Sequence, residues 1–161
     1  MFGIDPRDLV DRLNRAMVHM VPFNAALGLR VDDAAEGAAM LRLPYRDELV
    51  GNPETGVLHG GMITSLLDAA CGLSVFLKLQ RMARIATLDL RIDYLKPATP
   101  PRDVRARAEC YKTTRQVAFV RALAYHEDVN DPIAAAAGTF IIFDDPRSPF
   151  GRVVAGGGDG G

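Results

Sequence analysis

The sequence predicts an α+β fold, with a curved antiparallel sheet of five to six strands wrapped around one long central helix. Three observations carry that expectation. The run from about Gly60 to Leu79 is apolar nearly all round, so it needs cover on most sides. After it come four segments with period-two patterning (85–95, 103–112, 116–125 and 132–143), joined by short polar connections. That pattern belongs to antiparallel strands, since parallel ones need long crossovers. Ahead of the helix, 26–44 reads as two further strands.

Taken in order, Asp5-Pro6 is a cap followed by proline at the first helical position. Leu9, Leu13 and Ala16 then recur at helical spacing, which gives a helix of roughly Pro6 to His19, ending before Pro22. In 26–44 the strands are broken at Asp32-Asp33 and Glu36-Gly37. A polar, glycine-bearing loop follows from Tyr45 to His59, and then the long helix. In the next strand, strict alternation places Leu88, Leu90 and Ile92 on one face against Thr87, Asp89, Arg91 and Asp93 on the other. The strand at 103–112 sets Val104, Ala106, Ala108 and Cys110 against Arg105, Arg107 and Glu109. Pro97, Pro100 and Pro101 mark a break between strands. Residues 1–25 are thus an N-terminal helical segment, 26–145 the main domain, and 146–161 a glycine-rich flexible tail.

The 161 residues are enough for one core, and the apolar (48%) and charged (24%) fractions are those of a globular chain. With 19 basic against 20 acidic residues the net charge is −1, which argues against a basic nucleic-acid surface or a polybasic membrane anchor. Cys71 and Cys110 have no metal or redox spacing and sit in apolar patterns, so both are expected to be buried free thiols. The start of the chain has no secretory signal, and a cytoplasmic location is expected. His126-Glu127-Asp128 reads as a polar hairpin turn rather than a metal site. No GxSxG, no phosphate-cradling GxGxxG between a strand and a helix, and no P-loop occurs.

The long helix divides into two stripes. Ile63, Leu66, Leu67, Ala70, Leu73 and Leu77 are bulky and should face the sheet. Gly61, Thr64, Ser65, Asp68, Cys71, Gly72 and Val75 form a small-residue stripe with one carboxylate in its middle. A solvated helix face normally carries several charges, and this one carries only Asp68. Such a carboxylate is expected to have a raised pKa and to be available as base or nucleophile. The helix opens His59-Gly60-Gly61, whose exposed amides and dipole end suit an oxyanion. Gly60 and Asp68 are eight residues apart, about 12 Å along the axis. An attacking group and an oxyanion donor must both lie within about 3 Å of one carbonyl. If both residues are catalytic, they serve one substrate only when the amide comes from a second subunit.

The run from Leu49 to Gly72 (LVGNPETGVLHGGMITSLLDAACG) resembles the signature of hotdog-fold acyl-CoA thioesterases of the phenylacetate-pathway (PaaI-like) type, and so does Thr87-Leu-Asp-Leu-Arg-Ile-Asp-Tyr-Leu-Lys-Pro-Ala98. The resemblance covers roughly 26–144. It implies that Asp68 is the catalytic carboxylate and that Gly60 is the partner subunit's amide polarising the thioester carbonyl. It further implies that His59 and Asn52 position the thioester or the water, and that Thr87 lines the site. Lys112-Thr-Thr-Arg115 resembles the place where these enzymes hold the phosphates of coenzyme A, although the same residues make an ordinary solvated hairpin end. Tyr94 borders the pantetheine arm or simply packs at a strand end. No cofactor is implied, coenzyme A being part of the substrate. The implied assembly is a homo-oligomer, a dimer at least, with a dimer of dimers (a homotetramer) as the common form. Aromatic and medium-chain acyl groups are both open. Two other readings stand beside hydrolysis: an acyl-CoA hydratase or dehydratase using His59, and a non-catalytic acyl-CoA-binding module.

Overall fold

The computed structural model describes residues 5–80 and 83–143. The glycine-rich segment 146–161 lies outside them. Helix α1 (Pro6–Met20) starts at Asp5, whose side chain accepts from the Arg7 N–H. It packs on the sheet through Leu9 and Leu13, and Asn14 exchanges two 2.9 Å hydrogen bonds with the backbone of Val31. A second short helix, α2 (Pro22–Leu27), follows at once, where the sequence reading has none. Its signals are present: proline at the first position and Gly28 in the left-handed conformation closing the end.

Strands β1 (Arg30–Ala35) and β2 (Ala38–Leu43) form a hairpin turning at Glu36-Gly37. Asp32-Asp33 does not break β1; it is a local irregularity within the strand. The loop beyond holds a 3-10 turn, Asp47–Leu49, and a small hairpin of β3 (Val50–Asn52) and β4 (Val57–Leu58) that delivers the chain to α3 (Gly60–Leu79). Four long strands then follow: β5 (Arg84–Tyr94), β6 (Val104–Thr113), β7 (Val117–Tyr125) and β8 (Ala134–Phe143). The six-stranded sheet has the order β1-β2-β6-β7-β8-β5, antiparallel throughout, with β1 and β5 at its edges.

Helix α3 lies in the concave face of this sheet. By length and composition it would suffice to cross a membrane, yet Leu66, Leu67 and Ala70 are fully buried against strands. It is the core helix. The covered arc is wider than two stripes suggest: Cys71 and Val75, assigned from sequence to the open stripe, have no exposed surface. Gly61, Thr64, Ser65, Asp68, Ala69 and Gly72 are only partly buried. Both thiols are buried, and burial, with Asp68 nearby, pushes the Cys71 thiol up to about 12. A thiol so raised stays protonated at neutral pH and is no nucleophile.

The face assignment of β5 is also overturned. Its pairing with β8 skips Leu88, so that Thr87 opposes Phe140 while Asp89 opposes Thr139. This bulge shifts the alternation by one residue. Ile85 and Thr87 share the helix-facing side with Leu90 and Ile92, and Leu88 is thrown outward, 56% exposed. Gly138 lies under the bulge: a β-carbon there would collide with the Asp89 carbonyl oxygen.

Candidate active site

Asp68, halfway along α3, is half-buried and accepts a 2.8 Å hydrogen bond from the Thr87 hydroxyl, presented inward by the β5 bulge. No basic side chain forms an ion pair with it among the described residues. Two clefts meet at this carboxylate. One, of about 470 Å³, is bounded by Phe23 and Asn24 of α2, Thr64 and Ser65 of α3, and Leu90 of β5. The other, of about 200 Å³, continues past Gly72 toward Phe76, Ile85 and Phe140. The α2 residues in these walls were missed from sequence because α2 itself was.

A second cluster sits at the start of α3. His59 is the N-cap, and its Nδ1 accepts the Gly61 N–H at 2.9 Å. Nδ1 therefore has no proton in this state, and the ring is engaged in capping. The ring lies so close that a β-carbon on Gly61 would come within 2.9 Å of Nδ1, so a larger residue there would displace the capping ring. The Gly60 N–H is the first of the helix and has no intrahelical acceptor. The Gly60 carbonyl accepts from the Tyr94 hydroxyl at 2.9 Å and the Thr64 hydroxyl at 3.3 Å, and those two hydroxyls are 2.7 Å apart. Tyr94 thus fastens the end of β5 to the first turn of α3.

Asn52 behaves differently. Its side chain accepts the Glu54 N–H at 3.0 Å and its carbonyl accepts the Gly56 N–H at 2.8 Å, so it shapes the β3–β4 turn. That turn is backed by the loop at 97–101. Buried His126 holds this loop with Nε2 accepting from the Thr99 N–H at 3.1 Å, and its Nδ1 lies 2.8 Å from the Asp103 carbonyl oxygen.

Lys112 and Arg115 lie in neither cluster. They flank the β6–β7 turn, are exposed, and form no ion pair among the described residues. Gly37 packs between Lys78 and the Cys110 carbonyl, so this end of β6 is the end where α3 terminates. One chain therefore places three groups along α3: an amide-bearing turn at its start, Asp68 with Thr87 at its middle, and two cations beyond its close. Within the described residues no cluster of side chains could hold a metal ion.

Chemically, the pieces fit a carbonyl reaction: a hydrogen-bonded carboxylate at the mouth of two clefts, and a helix-start amide with no acceptor among the described residues about 12 Å away on the same helix. The comparisons with known proteins agree. Residues 55–133 match the family model described as the thioesterase superfamily. The chain is 34% identical over 138 residues to the medium/long-chain acyl-CoA thioesterase YigI of Salmonella typhimurium, covering 78% of this chain and 88% of that one. A crystal structure of a Pseudomonas aeruginosa protein superposes with a TM-score of 0.73 at 45% identity, over 83% of this chain and 98% of its own. A mutant of the phenylacetic acid degradation protein PaaI from Thermus thermophilus superposes with a TM-score of 0.65 at 28% identity, over 74% and 97%. With the six-stranded sheet, the enclosed helix and these relatives in agreement, the chain belongs to the thioesterase superfamily and carries its hotdog fold.

Proposed function

We propose that this protein hydrolyses acyl-CoA thioesters at a site shared between two copies of the chain. The observation that carries the reading is Asp68, half-buried, held by Thr87 and set at the junction of two clefts. The relatives named as acyl-CoA thioesterases support the substrate class. With Asp68 as general base, a water oxygen adds to the thioester carbonyl carbon as its proton passes to the carboxylate. The carbonyl oxygen takes up negative charge, which the Gly60 N–H of the second copy stabilises. Collapse breaks the carbon–sulfur bond, and the thiolate leaves with the proton, giving free acid and coenzyme A. With Asp68 as nucleophile, the same amide serves an acyl-enzyme route.

With both groups in catalytic roles, their separation of about 12 Å along one helix supports a shared site, and a second feature supports it too. Among the described residues, strand β5 is an unpaired edge of eleven residues carrying exposed Leu88. A long unpaired edge is a template for pairing unless covered, and β5 itself carries both Thr87 and Tyr94. Lys112 and Arg115 are proposed to hold the coenzyme A phosphates. Hydration of an enoyl thioester is less favoured, because His59 spends its Nδ1 on capping. The test is thiol release from acyl-CoA by wild type and Asp68→Asn, alongside enoyl absorbance with crotonyl-CoA. A loss of two or more orders of magnitude in the variant is expected. A variant keeping half of wild-type activity, or consumption of crotonyl-CoA without thiol release, refutes the reading.

A further inference from the structure

The two clefts that meet at Asp68 differ in their walls. The larger runs toward the first half of α3 and carries the hydroxyls of Thr64 and Ser65. The smaller runs toward the second half, and beyond Asp68, Asn24 and Thr87 its wall is apolar: Gly72, Leu73, Phe76, Ile85 and Phe140. A thioester whose carbonyl rests at Asp68 departs in two directions. One arm is rich in amides, which lose stability where no polar partner is offered. The other is hydrocarbon, which gains from a dry wall.

Gly72 supplies an independent observation. A glycine inside a helix destabilises it relative to alanine. Here its backbone is ordinary helix, and a β-carbon would lie 3.6 Å from the Phe140 ring and 3.9 Å from Ile85, in normal contact. Within one chain the packing leaves room for the methyl group. What its absence creates is open space in the cleft wall. Val21, Asn24 and Phe140, which also line this cleft, lie outside the stretch 55–133 that matches the family model, so membership of the family does not by itself dictate the wall.

Resting on the thioesterase reading, we infer that this cleft takes the acyl chain, that the chain is linear and aliphatic, and that Gly72 and Phe76 set its usable length. From Asp68 the wall extends about 6 Å to Gly72 and about 12 Å to Phe76. An extended alkyl chain fills both turns. A ring one carbon from the carbonyl fills only the first and leaves the Phe76 end empty.

The test is thiol release from butyryl-, octanoyl-, dodecanoyl- and phenylacetyl-CoA by wild type, Gly72→Ala, Gly72→Leu and Phe76→Ala, with melting temperatures for all four proteins. Wild type is expected to prefer octanoyl- over phenylacetyl-CoA. The ratio of kcat/KM for dodecanoyl- to that for butyryl-CoA should fall about tenfold or more in Gly72→Leu and rise in Phe76→Ala. Gly72→Ala should move the ratio in the same direction as Gly72→Leu while melting no lower than wild type. If Gly72→Leu fails to fold, the other two variants carry the comparison. Wild type preferring phenylacetyl-CoA, or variants that change every substrate by one common factor, overturns this inference and leaves the thioesterase reading standing. Wild type releasing thiol from none of the four overturns that reading, and this inference with it.

Discussion

Replacing Thr87 with valine removes one hydroxyl and keeps the β-branched shape that suits a strand. The bond lost is the 2.8 Å donation to Asp68, a hydrogen bond to a carboxylate. Such bonds contribute about 1.5–3 kcal/mol when shielded. Asp68 is only half-buried, so the lower end applies, and about 1.4 kcal/mol corresponds to a factor of ten. If the bond holds the carboxylate in its working orientation, the loss falls on the chemical step. Thiol release should then show kcat for Thr87→Val down about tenfold with KM little changed, because the hydroxyl touches the base and not the coenzyme A arm. Thr87→Ser restores the donor and should recover most of the rate. Thr87→Val within twofold of wild type, or Thr87→Ser as impaired as Thr87→Val, would show that the bond does not orient the base.

Gly60→Pro removes the proposed oxyanion N–H at a helix position where proline is tolerated; it should be inactive alone, as should Asp68→Asn. Mixed and reassorted, the two should recover about a quarter of wild-type activity, since half the dimers then contain one intact site; absence of recovery refutes the shared site. Replacing Lys112 and Arg115 together with alanine should raise KM for acyl-CoA roughly tenfold, with the difference shrinking at high salt and vanishing for a short acyl-pantetheine. Equal behaviour on both substrates would assign the turn to solvent. Native protein at pH 7–8 should show no fast-reacting thiol, because burial holds Cys71 at about 12 and raises Cys110 as well; prompt labelling of either would contradict their packing.

Much of the architecture was legible because it rests on local patterns. The bounds of α3 follow from Gly60-Gly61 and the end of the apolar run, and β6 keeps Val104, Ala106, Ala108 and Cys110 inward as alternation requires. What escaped depends on non-local geometry. The bulge at Leu88 is set by how β5 pairs with β8, and within β5 the extra residue looks like any other leucine, so Thr87 reads as facing away from the helix. Cys71 and Val75 read as open because two stripes describe a helix covered from one side, whereas the sheet curls past that. Helix α2 is six residues long, too short for periodicity, and was legible only through Pro22 and Gly28. In the site, the lone carboxylate on a small-residue face stood out, while the turn-forming use of Asn52 depends on a hairpin no pattern revealed.

The bulge in β5 makes the strand two segments out of phase, joined by a single odd residue. The C-terminal segment is pinned by Tyr94 to the start of α3, so any restored phase must rotate the N-terminal segment. That rotation would turn Thr87 to the outside and bring Ala86 in. The phase slip in turn depends on Gly138, on a different strand, where a β-carbon would strike the Asp89 carbonyl. A methyl group added to β8 would therefore press on the bulge that aims the hydroxyl at Asp68 without approaching either residue. The donor beside this carboxylate thus leans on a position that a survey of the site's own lining residues would pass over.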